Sequence, residues 1–239
     1  MAGDQVPLSI MVSSTNHDIK DLLLQVEGVL NGFGYETRIS RMGTLFVDPN
    51  LGNFDNCLQA VEDCDLFFGI ITPAYGTGKD KKGGRSITHR ELLKAVKLNK
   101  LRWFVCHESV MNARSLLNDL SFNHPTEGPT NFRGAEGRKR LSLKPDPSII
   151  KDLKTLDMFE AASREDVRSV ARRRGNWVQP YNTEKDVLQF LRTQFGEPQR
   201  IRDMFEEWDA KRAAAAAKAA TKAAAMAPPQ GGAPGAAAP

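Results

Sequence analysis

The stretch that most constrains the fold is "LFFGIIT", Leu66 to Thr72, which carries no polar side chain before its terminal threonine. A strand with one face in water alternates apolar and polar residues, whereas a strand covered on both faces reads as a continuous apolar run. This segment therefore predicts a central strand of a parallel sheet. "LSIMVSS" (Leu8 to Ser14) and "LRWFVC" (Leu101 to Cys106) are shorter versions of the same signal. Helical patterns lie between the runs. Asp18 to Leu30 places Ile19, Leu22, Leu23, Val26, Val29 and Leu30 on one stripe, a second helix starts near Asn53 and carries Phe54, Leu58 and Val61, and a third spans Ile87 to Leu98. Strand and helix alternating this regularly imply right-handed crossovers, with helices on both faces of the sheet. The expected fold class is α/β, a flavodoxin-like, doubly wound parallel sheet.

The rest of the chain fits around that core. "YETRIS" (Tyr35 to Ser40) reads as a peripheral strand, Thr44 to Gly52 as a loop, and Glu108 to Leu120 as a further helix. Residues 1–120 are thus expected to form the α/β core. Residues 121–196 are expected to add an irregular insertion over Ser121 to Pro147, helices over Ser148 to Ala162 and Arg164 to Arg174, an edge strand at "NWVQPY" and a closing helix capped by Thr183. Residues 197–226 have strong helix propensity but lose their apolar stripe after Trp208, which predicts a helix that frays. The Ala/Pro/Gly tail, 227–239, cannot bury enough surface to fold.

Charge and cysteine usage narrow the setting. A formal net charge of +4 permits an anionic partner without indicating nucleic acid, since the excess sits in short runs such as "RGAEGRKR" and Arg172 to Arg174. Nucleic acid is accordingly not the expected partner. Three cysteines with no C-x-x-C pair argue against a disulfide framework and for a reducing compartment. No basic start precedes an apolar run, and no apolar run approaches the roughly 18 residues that span a bilayer. The expectation is a cytoplasmic bacterial protein without membrane contact.

In open α/β sheets ligands bind beyond the carboxyl ends of the strands. Three segments should end at that edge: "SSTNHD", "TPAYGTG" and "SITHRE". They bring hydroxyls from Ser13, Ser14, Thr15, Thr72, Ser86 and Thr88, carboxylates from Asp18 and Glu91, an aromatic ring from Tyr75 and flexible backbone at Gly76. Such an inventory suits a nucleotide or nucleoside, with hydroxyls and helix N–H groups for ribose and phosphate and a ring for the base. A carboxylate beneath the sugar can stabilise or attack an oxocarbenium-like centre, so Glu91 is a candidate for N-glycosidic bond cleavage. The same glutamate has a second reading. Thr88-x-x-Glu91 matches the capping box, in which the glutamate bonds back to the cap residue's N–H. The four histidines are scattered, no zinc spacing exists, and neither a P-loop, a G-x-G-x-x-G nor a G-x-S-x-G is present. No metal or resident cofactor is expected.

Three motifs in order, "IMVSSTNHDIKD", "CLQAVEDCDLFFGIITPAYG" and "SITHRELLKAVKLNKLRWFV", resemble the bacterial domain-of-unknown-function family DUF4062. Its members show a strand ending in S-S-T with a following acid, here Asp18, a "D-x-F-x-G-I" strand ending in "Y-G", and an "S-I-T-x-x-E" helix. The family is similar in architecture to Toll/interleukin-1 receptor (TIR) domains and nucleoside 2-deoxyribosyltransferases, whose catalytic glutamate begins the corresponding helix. The resemblance implies a TIR-like fold, places Glu91 on that glutamate, and implies nucleotide N-glycosidase or transferase chemistry in bacterial defence or stress signalling. NAD would then be a substrate, not a cofactor. It equally implies an alternative, a non-catalytic nucleotide-sensing or signalling module that self-associates or meets a partner protein.

Overall fold

Every residue of β3 (Leu66–Ile71) is buried, the result expected of a strand whose two faces are both covered. The computed structural model describes residues 6–15, 19–76, 78, 84–124, 128–139 and 141–226. Within it β1 (Ser9–Ser14), β2 (Glu36–Arg38), β3, β4 (Leu101–His107) and β7 (Val178–Tyr181) form one parallel sheet in the order β2-β1-β3-β4-β7. That is the doubly wound, flavodoxin-like order, with a topological switch beside β1.

Alternation along β3 divides the core into two layers. Phe67 turns to the face covered by α2 (Asn53–Asp63), α3 (Ile87–Lys97) and α6 (Lys154–Ala162), where it joins Phe104, Val61, Leu92 and Leu156. Phe68 turns to the opposite face and packs on Phe190 and Phe195 of α7 (Glu184–Phe195), with ring centroids 6.4 and 6.2 Å away. On that face α7 also packs against α1 (Lys20–Gly32), whose Leu22, Leu23, Val26 and Leu30 are buried. Thr183 starts α7 with a capping box completed by Asp186.

Three expectations are corrected. The segment Ser121 to Pro147 is not wholly irregular: β5 (Ser121–His124) and β6 (Gly128–Asn131) pair antiparallel, and a short helix α5 (Gly134–Arg138) follows. Backbone bonds make that pairing without any apolar alternation, so periodicity could not reveal it. No helix forms over Arg164 to Arg174. Arg164 adopts φ +57 and ends α6, leaving only a short 3-10 turn at Val170–Arg172. The expected helix from Ser148 starts only at Lys154, where Asp152 accepts from the Lys154 N–H at 2.9 Å. The segment before that helix docks on the loop after β3, the Lys151 N–H donating to the Pro73 carbonyl at 2.9 Å.

The chain divides into two compact units, residues 1–198 and 199–239. The second consists chiefly of α8 (Pro198–Met226), which runs unbroken to Met226 where fraying was expected, because alanine propensity alone sustains it. Within it the Arg212 guanidinium lies 4.7 Å over the Trp208 ring. The tail 227–239 lies outside the described residues.

Gly69 is the one position in β3 where size matters most. It pairs with Phe104 of β4, and an added Cβ would sit 2.6 Å from Cδ1 of that buried ring. Gly69→Ala is expected to destabilise the protein by ~1–3 kcal/mol through overpacking, read as a lowered midpoint in chemical denaturation with an unchanged slope.

Candidate functional site

The carboxyl ends of β1 and β3 are laced together by two threonines. The Thr15 N–H extends the ladder to the Ile70 carbonyl at 3.2 Å. The Thr72 N–H donates to Thr15 Oγ1 at 2.8 Å, and the two hydroxyls lie 2.9 Å apart. Thr88 then ties α3 to the same edge by donating from Oγ1 to the Ser14 carbonyl at 2.9 Å. The strand ends and the helix start are thereby held in one register before any ligand arrives.

The helix cap lies two residues earlier than the capping-box pattern suggested. Ser86 is the N-cap, its Oγ accepting from the His89 N–H at 3.2 Å. Thr88-x-x-Glu91 is therefore not a capping box, and Glu91 lies in the second turn. Its Oε2 accepts a hydrogen bond from Ser13 Oγ at the end of β1. Only 3 % of Glu91 is exposed, and burial pushes its carboxyl up from 4.5 to about 7, opposed in part by the Ser13 hydroxyl and the Cys57 thiol. Near neutral pH this carboxyl is divided between its two protonation states.

Cys57, on α2, is a site residue that sequence reasoning missed. Burial, with the adjacent Glu91 charge, pushes its thiol up to about 12, so it stays protonated and serves as a weak donor. Nothing in the sequence marked it, since a lone cysteine inside an amphipathic helix has no diagnostic spacing. His89 also proves buried. Its Nδ1 meets the Tyr75 hydroxyl at 2.7 Å, and that oxygen accepts from the Ser86 N–H at 3.1 Å. Burial, aided by the charges of Arg85 and Lys154, lowers His89 to about 4, which keeps the imidazole neutral. This arrangement has Tyr75 donating to Nδ1 and leaves the proton of the ring on Nε2.

A cavity of about 120 Å³ opens over Glu91. Ser13, Ser14, Thr15, Gly76 and Thr88 line it together with Glu91, and Cys57 closes one wall. Thr72, Tyr75 and Ser86 do not line it. They hold the surrounding backbone instead, Thr72 through Thr15 and Tyr75 through Ser86. Asp18 lies outside the described residues. Gly76 has a steric reason to be glycine, because a Cβ there would meet Thr88 Oγ1 at 3.0 Å and the Thr15 carbonyl at 3.3 Å. Chemically the cavity offers one titrating carboxyl among hydroxyls. Its volume is well below the roughly 300 Å³ at which small-molecule pockets begin, and suits a sugar better than a whole nucleotide. Among the described residues no group of three or more His, Cys, Asp or Glu could hold a metal ion, and no helix is long and apolar enough to cross a membrane.

The family model described as "Domain of unknown function (DUF4062)" matches residues 9–196, a span that contains the sheet and the whole cavity. No curated protein matches the chain significantly.

The Glu91 shift has a consequence for stability. The folded protein retains a proton that the unfolded chain releases near pH 4.5, so this group's contribution is complete below 4.5 and is lost as pH rises to about 7. Relative to Glu91→Gln, the wild type should lose roughly 3 kcal/mol between pH 4.5 and pH 8, at about 1.4 kcal/mol per unit. Denaturant titrations of both proteins across that range measure the difference, and parallel curves would show the carboxyl to be unshifted.

Proposed function

The chain belongs to the DUF4062 family across residues 9–196, and from the site that this domain holds we propose a nucleotide or nucleoside N-glycosidase or transferase, with NAD among its candidate substrates. The observation that carries the reading is the buried Glu91 carboxyl, divided between protonation states at neutral pH, at the mouth of a hydroxyl-lined cavity on the ligand edge of the sheet. In this reading the ribose sits over Glu91, and Ser14, Thr15 and Thr88 hold its hydroxyls or a phosphate. The C1′–N bond breaks with its electron pair leaving on the base, and the Glu91 carboxylate stabilises the oxocarbenium-like centre until water or an acceptor hydroxyl attacks. Ser13 orients the carboxylate. Tyr75 and Ser86 position the start of α3 through His89. The biological setting consistent with this chemistry is bacterial defence or stress signalling in the cytoplasm.

A second reading has its own observation. The Glu91 carboxyl already has two donors, Ser13 and Cys57, and the cavity is small. Those features favour a non-catalytic module that senses a nucleotide or passes a signal to a second copy or a partner protein.

Incubation of the protein with NAD and a nucleoside panel, with chromatographic detection of released base, separates the two. The enzymatic reading expects product from the wild type, at least a ~100-fold loss in Glu91→Gln, and a rate that rises with pH through about 7 as the carboxyl ionises. Saturable binding without product, or equal turnover by Glu91→Gln, would leave the sensing module as the function.

A further inference from the structure

A second and larger cleft, about 480 Å³, lies between α5, the segment after it and α6. Its volume falls in the range of small-molecule sites, which the Glu91 cavity does not reach. Leu141, Leu143 and Leu153 supply apolar walls, while Arg138, Lys139, Lys151 and Lys154 line it with positive charge against only Asp152 and Asp157. The excess of two positive charges in an apolar cleft matches a ligand with a flat apolar body and an anionic group.

The charged groups differ in how firmly they are engaged. Arg138 is 4 % exposed and bridges Asp157 at 2.5 Å and Glu160 at 2.8 Å, which fixes its guanidinium. Its Nε–H is buried and meets no acceptor among the described residues, an unusual state for a buried donor. A ligand oxygen would satisfy it. Lys139 and Lys151 are paired only with the exposed carboxylates of Glu136 and Asp146. Pairs of that kind contribute little and yield readily to a better anion. Lys154 joins the cleft to the neighbouring site, since its Nζ lies 5.7 Å over the Tyr75 ring and donates to the Gly84 carbonyl at 3.3 Å.

We propose that this cleft is a second ligand site, separate from the Glu91 cavity, that binds a phosphate-bearing nucleotide. The base lies against Leu141, Leu143 and Leu153, the phosphate is held by Lys139 and Lys151, and an oxygen of the ligand accepts from Arg138. Occupancy bears on Lys154, and through Tyr75 and His89 on the start of α3. The site does not depend on chemistry at Glu91.

The test is calorimetric titration of the full chain with AMP, adenosine and inorganic phosphate, repeated on Glu91→Gln and on a Lys139→Ala/Lys151→Ala double variant whose changes lie on exposed side chains. AMP should bind saturably, at least tenfold more tightly than adenosine or phosphate alone. The double variant should lose at least tenfold in AMP affinity while its thermal unfolding stays unchanged, and Glu91→Gln should bind AMP like the wild type. Absence of AMP binding, equal binding of adenosine or of phosphate, or indifference to the double variant would overturn the proposal. Loss of AMP binding in Glu91→Gln would likewise overturn it by assigning the nucleotide to the other cavity. Because the readout is binding, a failure of the glycosidase reading leaves this result untouched.

Discussion

Glu91 places a carboxylate where almost no water reaches it, and the cost of that burial shapes the whole carboxyl edge of the sheet. A buried carboxyl must find donors or keep its proton, and this one does both in part. Ser13 donates from the end of β1 and Cys57 from α2, so two neighbouring elements converge on one side chain of α3. The same contact explains why Ser13 is itself buried at the end of an otherwise apolar strand.

That convergence works only because the strand ends are already fixed. Thr15 and Thr72 link β1 to β3, and Thr88 anchors α3 to the backbone of Ser14. Gly76 lets the loop after β3 pass close to Thr88 and to the Thr15 carbonyl, an approach that any side chain would obstruct. The preorganisation is of the kind that charge stabilisation requires, since groups that need no rearrangement lose nothing when charge develops. It serves a binding site equally well, which is why turnover and not geometry separates the two functional readings.

The fold was legible to the extent that burial imposes a period. β3 and β4 announced themselves as apolar runs, and α1, α2, α3 and α7 as stripes, because each element faces a continuous core. The hairpin of β5 and β6 was not legible, being held by backbone bonds in a segment whose Pro and Gly residues read as breaks. The short stretch after α6 misled for the opposite reason. Its residues tolerate a helix, but a left-handed Arg164 stops the chain there and no apolar stripe follows to restart it.

By itself the sequence determined the alternation of strands and helices, the central place of "LFFGIIT" and the gathering of hydroxyls and Glu91 at one edge. These follow from local periodicity and from the rule that parallel strands share a carboxyl end. The tertiary structure decided what those residues do there. It moved the helix cap to Ser86, freed Glu91 from capping, brought Ser13 to it across 78 positions of chain and added Cys57 from another helix. It also turned Tyr75 away from the cavity to support His89 and Ser86. Contacts of that separation depend on how elements pack, and a carboxyl's pKa depends on the water that packing excludes, so neither is written in the spacing of neighbouring residues.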